Sequence, residues 1–247
     1  MSIVLIPIPS TDFDPTETAV PWKALRARGH SVLFATPDGQ PGSADDRMLT
    51  GRGLDPLASM LMADANGLQA YGEMQASPEF GRPLRYQDVR LDEVHGVLLP
   101  GGHAPGMKPY LESQVLQRLI ADAFEQNKPV GAICHGVVLA ARSRMRDGRS
   151  VLHGRRTTAL TAQLELTGWA LTCVRLGRYY RTYPTTVQAE VIATLTCADD
   201  FDKGPISVTR DSPTNLAVGF TVRDGSYLSA RWPGDSRKFG SEFTAML

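Results

Sequence analysis

Apolar positions along the chain follow two alternating patterns. Short unbroken apolar runs mark strands buried on both faces: Ile3-Val4-Leu5-Ile6, Ser31-Val32-Leu33-Phe34-Ala35, Val97-Leu98-Leu99 and Val130-Gly131-Ala132-Ile133. A helical stretch joins the first two and ends near Arg28-Gly29, where Gly29 suits a C-terminal cap. The clearest helix joins the third and fourth runs. Ser113 caps its start, Val115, Leu116, Leu119, Ile120, Ala123 and Phe124 form one apolar stripe at i, i+3, i+4 spacing, and Asn127-Lys128-Pro129 closes it. Strands alternating with helices predict a parallel sheet covered on both faces, with right-handed crossovers. In such sheets ligands sit beyond the carboxyl ends of the strands.

Two stretches break the alternation. The segment at about 42–88 carries one amphipathic helix (Leu54, Leu57, Ala58, Leu61) and then the turn-rich Ala76-Ser77-Pro78-Glu79-Phe80-Gly81-Arg82-Pro83, and reads as an inserted cap. Near the C-terminus, Ala217 to Val222, the turn Asp224-Gly225 and Tyr227 to Ala230 predict a β-hairpin. A last helix places Phe239, Phe243 and Leu247 at i, i+4, i+8. The expectation is one domain over 1–247, without internal repeats or low-complexity tracts.

Composition narrows the function classes. The chain has 247 residues, 42% hydrophobic and 21% charged, within the ordinary globular range. Lys plus Arg equals Asp plus Glu at 26 each, so no net field draws the molecule to nucleic acid or an anionic membrane. Three cysteines without a CxxC fit neither a disulfide framework nor a structural zinc site, and point to reduced thiols in the cytoplasm. The apolar opening lacks a basic flank and is broken by Pro7 and Pro9, unlike a signal peptide or a membrane span. His30, His95 and His153 are scattered without ligand spacing, so neither a metal nor a cofactor is expected.

The candidate chemistry centres on Gly131-Ala132-Ile133-Cys134-His135-Gly136. A cysteine where a buried strand turns into a helix faces free N–H groups that favour the thiolate. Ala132 and Gly136 are small enough for a tight elbow, and His135 is placed to act as general base. The plainer fate of a free cysteine, a small buried core residue, is the reading for Cys173 and Cys197. The cluster Arg175, Arg178, Tyr179, Tyr180 and Arg181 suits an anion or a partner surface, but a short mixed basic run is usually a solvated loop.

Leu99-Pro100-Gly101-Gly102, the capped helix, Lys128-Pro129-Val130 and Ala132-Ile133-Cys134-His135-Gly136 together resemble the ThiJ/PfpI superfamily, with its class I glutamine-amidotransferase-like, flavodoxin-like α/β fold of three layers. The resemblance covers residues 1 to about 165 and thins beyond. The cap and Asp12-Phe13-Asp14-Pro15-Thr16-Glu17 look most similar to its stress-chaperone and glyoxalase III branch. In that branch a glutamate near the first helix approaches the cysteine, and Glu17 matches it. Asp14-Pro15-x-Glu17 is also a capping box with Pro at the first helical position. Against a helix starting there, Pro21 would cost roughly 3 kcal/mol inside it, which favours a start at Pro21 with Glu17 in the preceding loop. The resemblance further implies oxyanion binding by the amides of Gly102 and His135, and an acid about thirty residues past the cysteine to orient the histidine, for which Glu165 is the positional match. His103 is a candidate for the same pocket, although a lone loop histidine is more often incidental.

Together these imply a cofactor-independent enzyme that converts small reactive carbonyls such as methylglyoxal to lactate; the resemblance further implies a homodimer, and no nucleic-acid or membrane partner is expected. One alternative is a cysteine hydrolase, amidase or peptidase, for which a formed Cys134-His135-Glu165 triad would count. Another is a non-catalytic stress chaperone or redox-responsive protein in which Cys134 is oxidised beside Glu17.

Overall fold

In the computed structural model, which describes residues 1–247, the four apolar runs form the middle of one sheet. The strands are β1 (Ile3–Pro7), β2 (Thr11–Phe13), β3 (Ser31–Thr36), β4 (Ser43–Ala44), β5 (Leu84–Arg85), β6 (Gly96–Leu99), β7 (Val130–Ile133), β8 (Thr221–Asp224) and β9 (Tyr227–Ala230). The helices are α1 (Pro15–Ala27), α2 (Asp46–Thr50), α3 (Ala58–Leu61), α4 (Ala65–Gln75), α5 (Lys108–Leu111), α6 (Gln114–Glu125), α7 (Gly136–Arg142), α8 (Ala162–Leu176), α9 (Val187–Ile192) and α10 (Ser236–Thr244). Seven strands are bonded in the order β5-β3-β1-β6-β7-β9-β8, parallel except for β8, while β2 and β4 pair separately. Helices α1, α4 and α10 pack together on one face, and α6 and α7 pack against β6 and β7 on the other. This is the three-layer, flavodoxin-like α/β fold. Every residue of β6 and β7 is buried, which explains their unbroken apolar runs.

Several expectations need correction. Helix α1 begins at Pro15, not Pro21, because the Asp14 carboxylate accepts from the amides of Thr16 (2.8 Å) and Glu17 (2.9 Å) and holds the first turn in place. Pro21 therefore lies inside the helix. Ser113 does cap α6, accepting from Leu116 N, but Val115 is exposed and does not belong to its buried stripe. In the hairpin Asp224 pairs with Tyr227, so the turn is Gly225-Ser226 and the first strand starts at Thr221. The last helix ends at Thr244, short of Leu247.

Within 42–88, the amphipathic helix shrinks to the single turn α3, with Leu54 buried ahead of it. The longer helix of that segment is α4, which packs on α1, and β5 joins the sheet as its edge. Periodicity missed both because α4 is interrupted by Gly67 and Gly72, and β5 is two residues long. Cys173 is half-buried and Cys197 exposed, so neither is a core cysteine.

Candidate active site

The topology brings three loops distant in sequence to one place. Pairing of β6 with β7 sets Pro100-Gly101-Gly102 beside Cys134-His135, and α1, reached from β1 through β2, lays Glu17 across both. A Cβ built on Gly101 would lie 2.6 Å from Glu17 Oε2, 2.8 Å from His135 N and 2.9 Å from Cys134 Cβ. Only glycine fits there, and carboxyl and thiol face each other across it.

Cys134 sits at the elbow with φ +56°, the left-handed region that costs a non-glycine residue roughly 1–2 kcal/mol. Its amide bonds to Ala230 O (3.1 Å) and its carbonyl accepts from Val137 N (3.3 Å), so sheet and helix together hold the strained residue. Gly136 makes the turn possible: a Cβ at that position would lie 2.1 Å from Leu99 O.

The thiol does not rest as the ready thiolate expected of a helix start. Burial pushes its pKa well above the usual value, and the charges of Glu17 and Asp14 push the same way, against the His135 amide directed at the sulfur. Glu17 is raised well above the ordinary carboxylate range, first by burial and then by Asp14. Its Oε2 accepts from Gly101 N (3.0 Å), while Oε1 is buried without a partner in the protein other than the neighbouring thiol. Glu17 is thus both the third residue of the cap sequence and part of the site. Its carboxyl does not close a capping box, because the Asp14 amide donates to Gly101 O instead (2.9 Å).

His135 is buried, with Nδ1 3.4 Å from Cys134 Sγ and Nε2 3.2 Å from Thr182 Oγ1. Thr182 spends its single hydroxyl proton on His103 O (2.6 Å), so it accepts from His135. That assigns the imidazole proton to Nε2 and turns the Nδ1 lone pair toward the thiol. Burial, then the charges of His103 and Arg142, lower His135 to about 3, so it rests neutral.

Glu165 is not the residue that orients His135. It borders the same cavity, but its carboxylate accepts from Val187 N (2.8 Å) and pairs with Arg181 Nε (3.2 Å), where it ties α8 to α9. A carboxylate at the right sequence distance is satisfied locally, and the hydroxyl of Thr182 holds the histidine instead. Thr182 left no sequence signal, being one threonine in a loop nearly fifty residues on.

His103 is buried and stacked on Tyr180 (centroids 4.1 Å, planes 12° apart), and burial lowers it to about 4. Tyr180 comes from the basic cluster, whose inner members turn toward the site while Arg175 and Arg178 stay exposed. Both rings, with Gly102, line a cavity of about 240 Å³ that reaches Cys134 and Glu17. Its walls are largely apolar, from Met48, Met60 and Leu61 in 42–88 to Leu164 and Leu171 of α8. Asp14 and Arg210 also reach it; burial raises Asp14 to about 6, and sequence patterning gave no reason to single out Arg210. No three His, Cys, Asp or Glu side chains are grouped to hold a metal ion, and no helix is long and apolar enough to cross a membrane.

A model of the family described as ThiJ/PfpI family-like matches residues 8–205. A Schizosaccharomyces pombe protein, C14C4.04, is 30% identical over 119 residues, 47% of this chain and 43% of its own length. The Thermococcus kodakarensis deglycase TK1284 is 25% identical over 164 residues, 66% of this chain and 69% of its own. The chain thus spans about half or less of the first curated relatives it matches. The crystal structure of glyoxalase III from Candida albicans superposes with a TM-score of 0.66 over 100% of this chain and 97% of the other, at 15% identity, a likeness of fold.

Proposed function

The chain belongs to the ThiJ/PfpI-like family, and from that membership we propose a cysteine-dependent, cofactor-independent enzyme of the glyoxalase III kind, converting small reactive aldehydes such as methylglyoxal to the 2-hydroxy acid. The observation that carries this reading is a buried carboxyl, Glu17, whose pKa burial raises, against a buried thiol whose other neighbour is a neutral imidazole with its lone pair turned inward.

The thiol proton passes to His135 Nδ1 as sulfur adds to the aldehyde carbon, so the thiolate and the imidazolium arise together and stabilise each other. The carbonyl oxygen takes the developing charge, supported by the amides of Gly102 and His135, and is protonated to the hemithioacetal. Removal of the proton on the former aldehyde carbon and return of a proton to the adjacent ketone carbon give a thioester of the 2-hydroxy acid. Glu17 and His135 are the groups near enough to move these protons. Water then cleaves the S–C bond, releasing the acid and restoring the thiol, so the net change is addition of one water. Thr182 keeps the imidazole in the required tautomer.

The names of the deglycase relative and the glyoxalase III neighbour support carbonyl chemistry, and the engagement of Glu165 elsewhere takes support from a hydrolase triad. The proposal extends to a cytoplasmic homodimer acting on small molecules. The test is lactate formation from methylglyoxal without glutathione, in wild type, Cys134→Ala and Glu17→Ala. Turnover in wild type alone supports the proposal, and a folded, thiol-reactive wild type without turnover overturns it.

A further inference from the structure

The cavity holds one cation that the proposed chemistry does not use. Arg210 lies in the irregular segment before β8, and its side chain reaches the same cavity as Cys134. The guanidinium is fixed from three sides. Nη2 donates to the carbonyls of Met62 (3.0 Å) and Met60 (3.4 Å), and the group lies 5.4 Å over the Trp232 ring. Its backbone is pinned by the next residue: Asp211 N donates to Gly234 O (2.7 Å), and the Asp211 carboxylate accepts from Lys238 N (2.8 Å) at the start of α10. Nη1 is buried with no hydrogen-bond partner.

An oriented guanidinium with one buried, unused donor, in a largely apolar cavity whose own carboxylates, Asp14, Glu17 and Glu165, each accept backbone amides, is incomplete without a further anion. Asp14 lies in the same cavity and feels the Arg210 charge, but its Oδ1 accepts the amides of Thr16 and Glu17 and no hydrogen bond joins it to the guanidinium. The size of the cavity points the same way. Its volume of about 240 Å³ matches roughly eight waters at about 30 Å³ each, more than a three-carbon aldehyde needs. Space remains for an apolar body beyond the reacting carbon, in a cavity that Leu164, Leu171 and Val208 line together with Arg210.

We infer that Arg210 anchors a carboxylate on the substrate, so that the cavity is built for α-oxoaldehydes whose aliphatic tail ends in an acid. This rests on the carbonyl chemistry proposed above for Cys134 and names the substrate class of that site. The carboxylate takes Nη1 in a charge-assisted hydrogen bond, the tail covers the apolar wall, and the aldehyde reaches the sulfur. A neutral short aldehyde reacts with the same thiol but leaves Arg210 unpaired.

The test uses protection of Cys134, which requires no turnover. In a Cys173→Ser, Cys197→Ser background, alkylation of Cys134 by iodoacetamide is timed with straight-chain carboxylates from acetate to adipate and with the matching neutral amides. At least one carboxylate is expected to protect about tenfold better than its amide. That preference should vanish in Arg210→Gln and partly survive in Arg210→Lys, with melting curves showing both variants folded. No preference at any chain length, or a preference unchanged in Arg210→Gln, overturns the anchor. Anion preference in a protein that converts no aldehyde leaves the anchor standing and overturns the carbonyl chemistry. Turnover of methylglyoxal without anion preference does the reverse.

Discussion

Glu17→Gln separates the two jobs assigned to Glu17. The amide oxygen can still accept from Gly101 N, which now bonds to Oε2 at 3.0 Å, so the fold should tolerate the change. The amide nitrogen would then face the thiol as a donor that never carries charge, removing both ways in which Glu17 raises the Cys134 pKa. Each acts on the thiolate and not on the thiol, so Cys134 ionises more readily in the variant. Each tenfold gain in thiolate fraction is about half offset, on a logarithmic scale, by the weaker basicity of that thiolate through a Brønsted slope near 0.45, which leaves roughly threefold in rate. Alkylation of Cys134 by iodoacetamide at pH 7 should therefore accelerate by about threefold or more, while methylglyoxal turnover falls to background for lack of a transferable proton. The assay is mass spectrometry of the Cys134 peptide over time, beside lactate formation. An alkylation rate equal to or below wild type in a folded variant would refute the coupling of Glu17 to the thiol.

Thr182→Val removes the acceptor of the His135 Nε2–H and orphans a buried donor, at a cost of about 1–3 kcal/mol, and kcat/KM should fall about 10- to 100-fold while Thr182→Ser stays near wild type. Full activity in the valine variant would exclude the threonine as the positioning group. Asp14 gives a stability signature: its folded pKa is raised from 3.8 to about 6, so the stability tied to its proton is fully present below pH 3.8 and is lost as pH rises through 6. The loss amounts to about 1.4 kcal/mol per pH unit and about 3 kcal/mol in all. Asp14→Asn keeps a capping oxygen, so urea unfolding should find it equal to wild type near pH 4 and about 3 kcal/mol more stable near pH 8, and a gap that does not change with pH would contradict the assignment.

The fold was legible where burial on both faces wrote itself as continuous apolar runs, as in β1, β6 and β7. It was illegible where elements are too short or too glycine-rich for a period, as in β5 and α4. At the site, the elbow around Cys134 was readable because sterics demand small residues at fixed offsets. The partner of His135 was not, since a hydrogen bond between residues 47 positions apart leaves no local pattern. Glu165 shows the limit of sequence distance: the right residue type at the right interval is bonded to Val187 and Arg181 instead. The start of α1 went wrong for an energetic reason, because the cost of Pro21 was weighed without the packing that offsets it.

That proline has a consequence for how the site is held. A residue in mid-helix normally donates to the carbonyl four positions back, and four positions before Pro21 is Glu17. The turn carrying the carboxyl thus lacks a rung of its own ladder and depends on what presses against it. Part of that pressure comes from α4 and part from α10, where a Cβ on Gly240 would lie 2.8 Å from Pro21 Cα. Because α10 lies outside residues 8–205, part of what supports that turn comes from beyond the stretch that carries the family pattern. Exchanging α10 alone between relatives would retune the acid without touching any residue that lines the cavity.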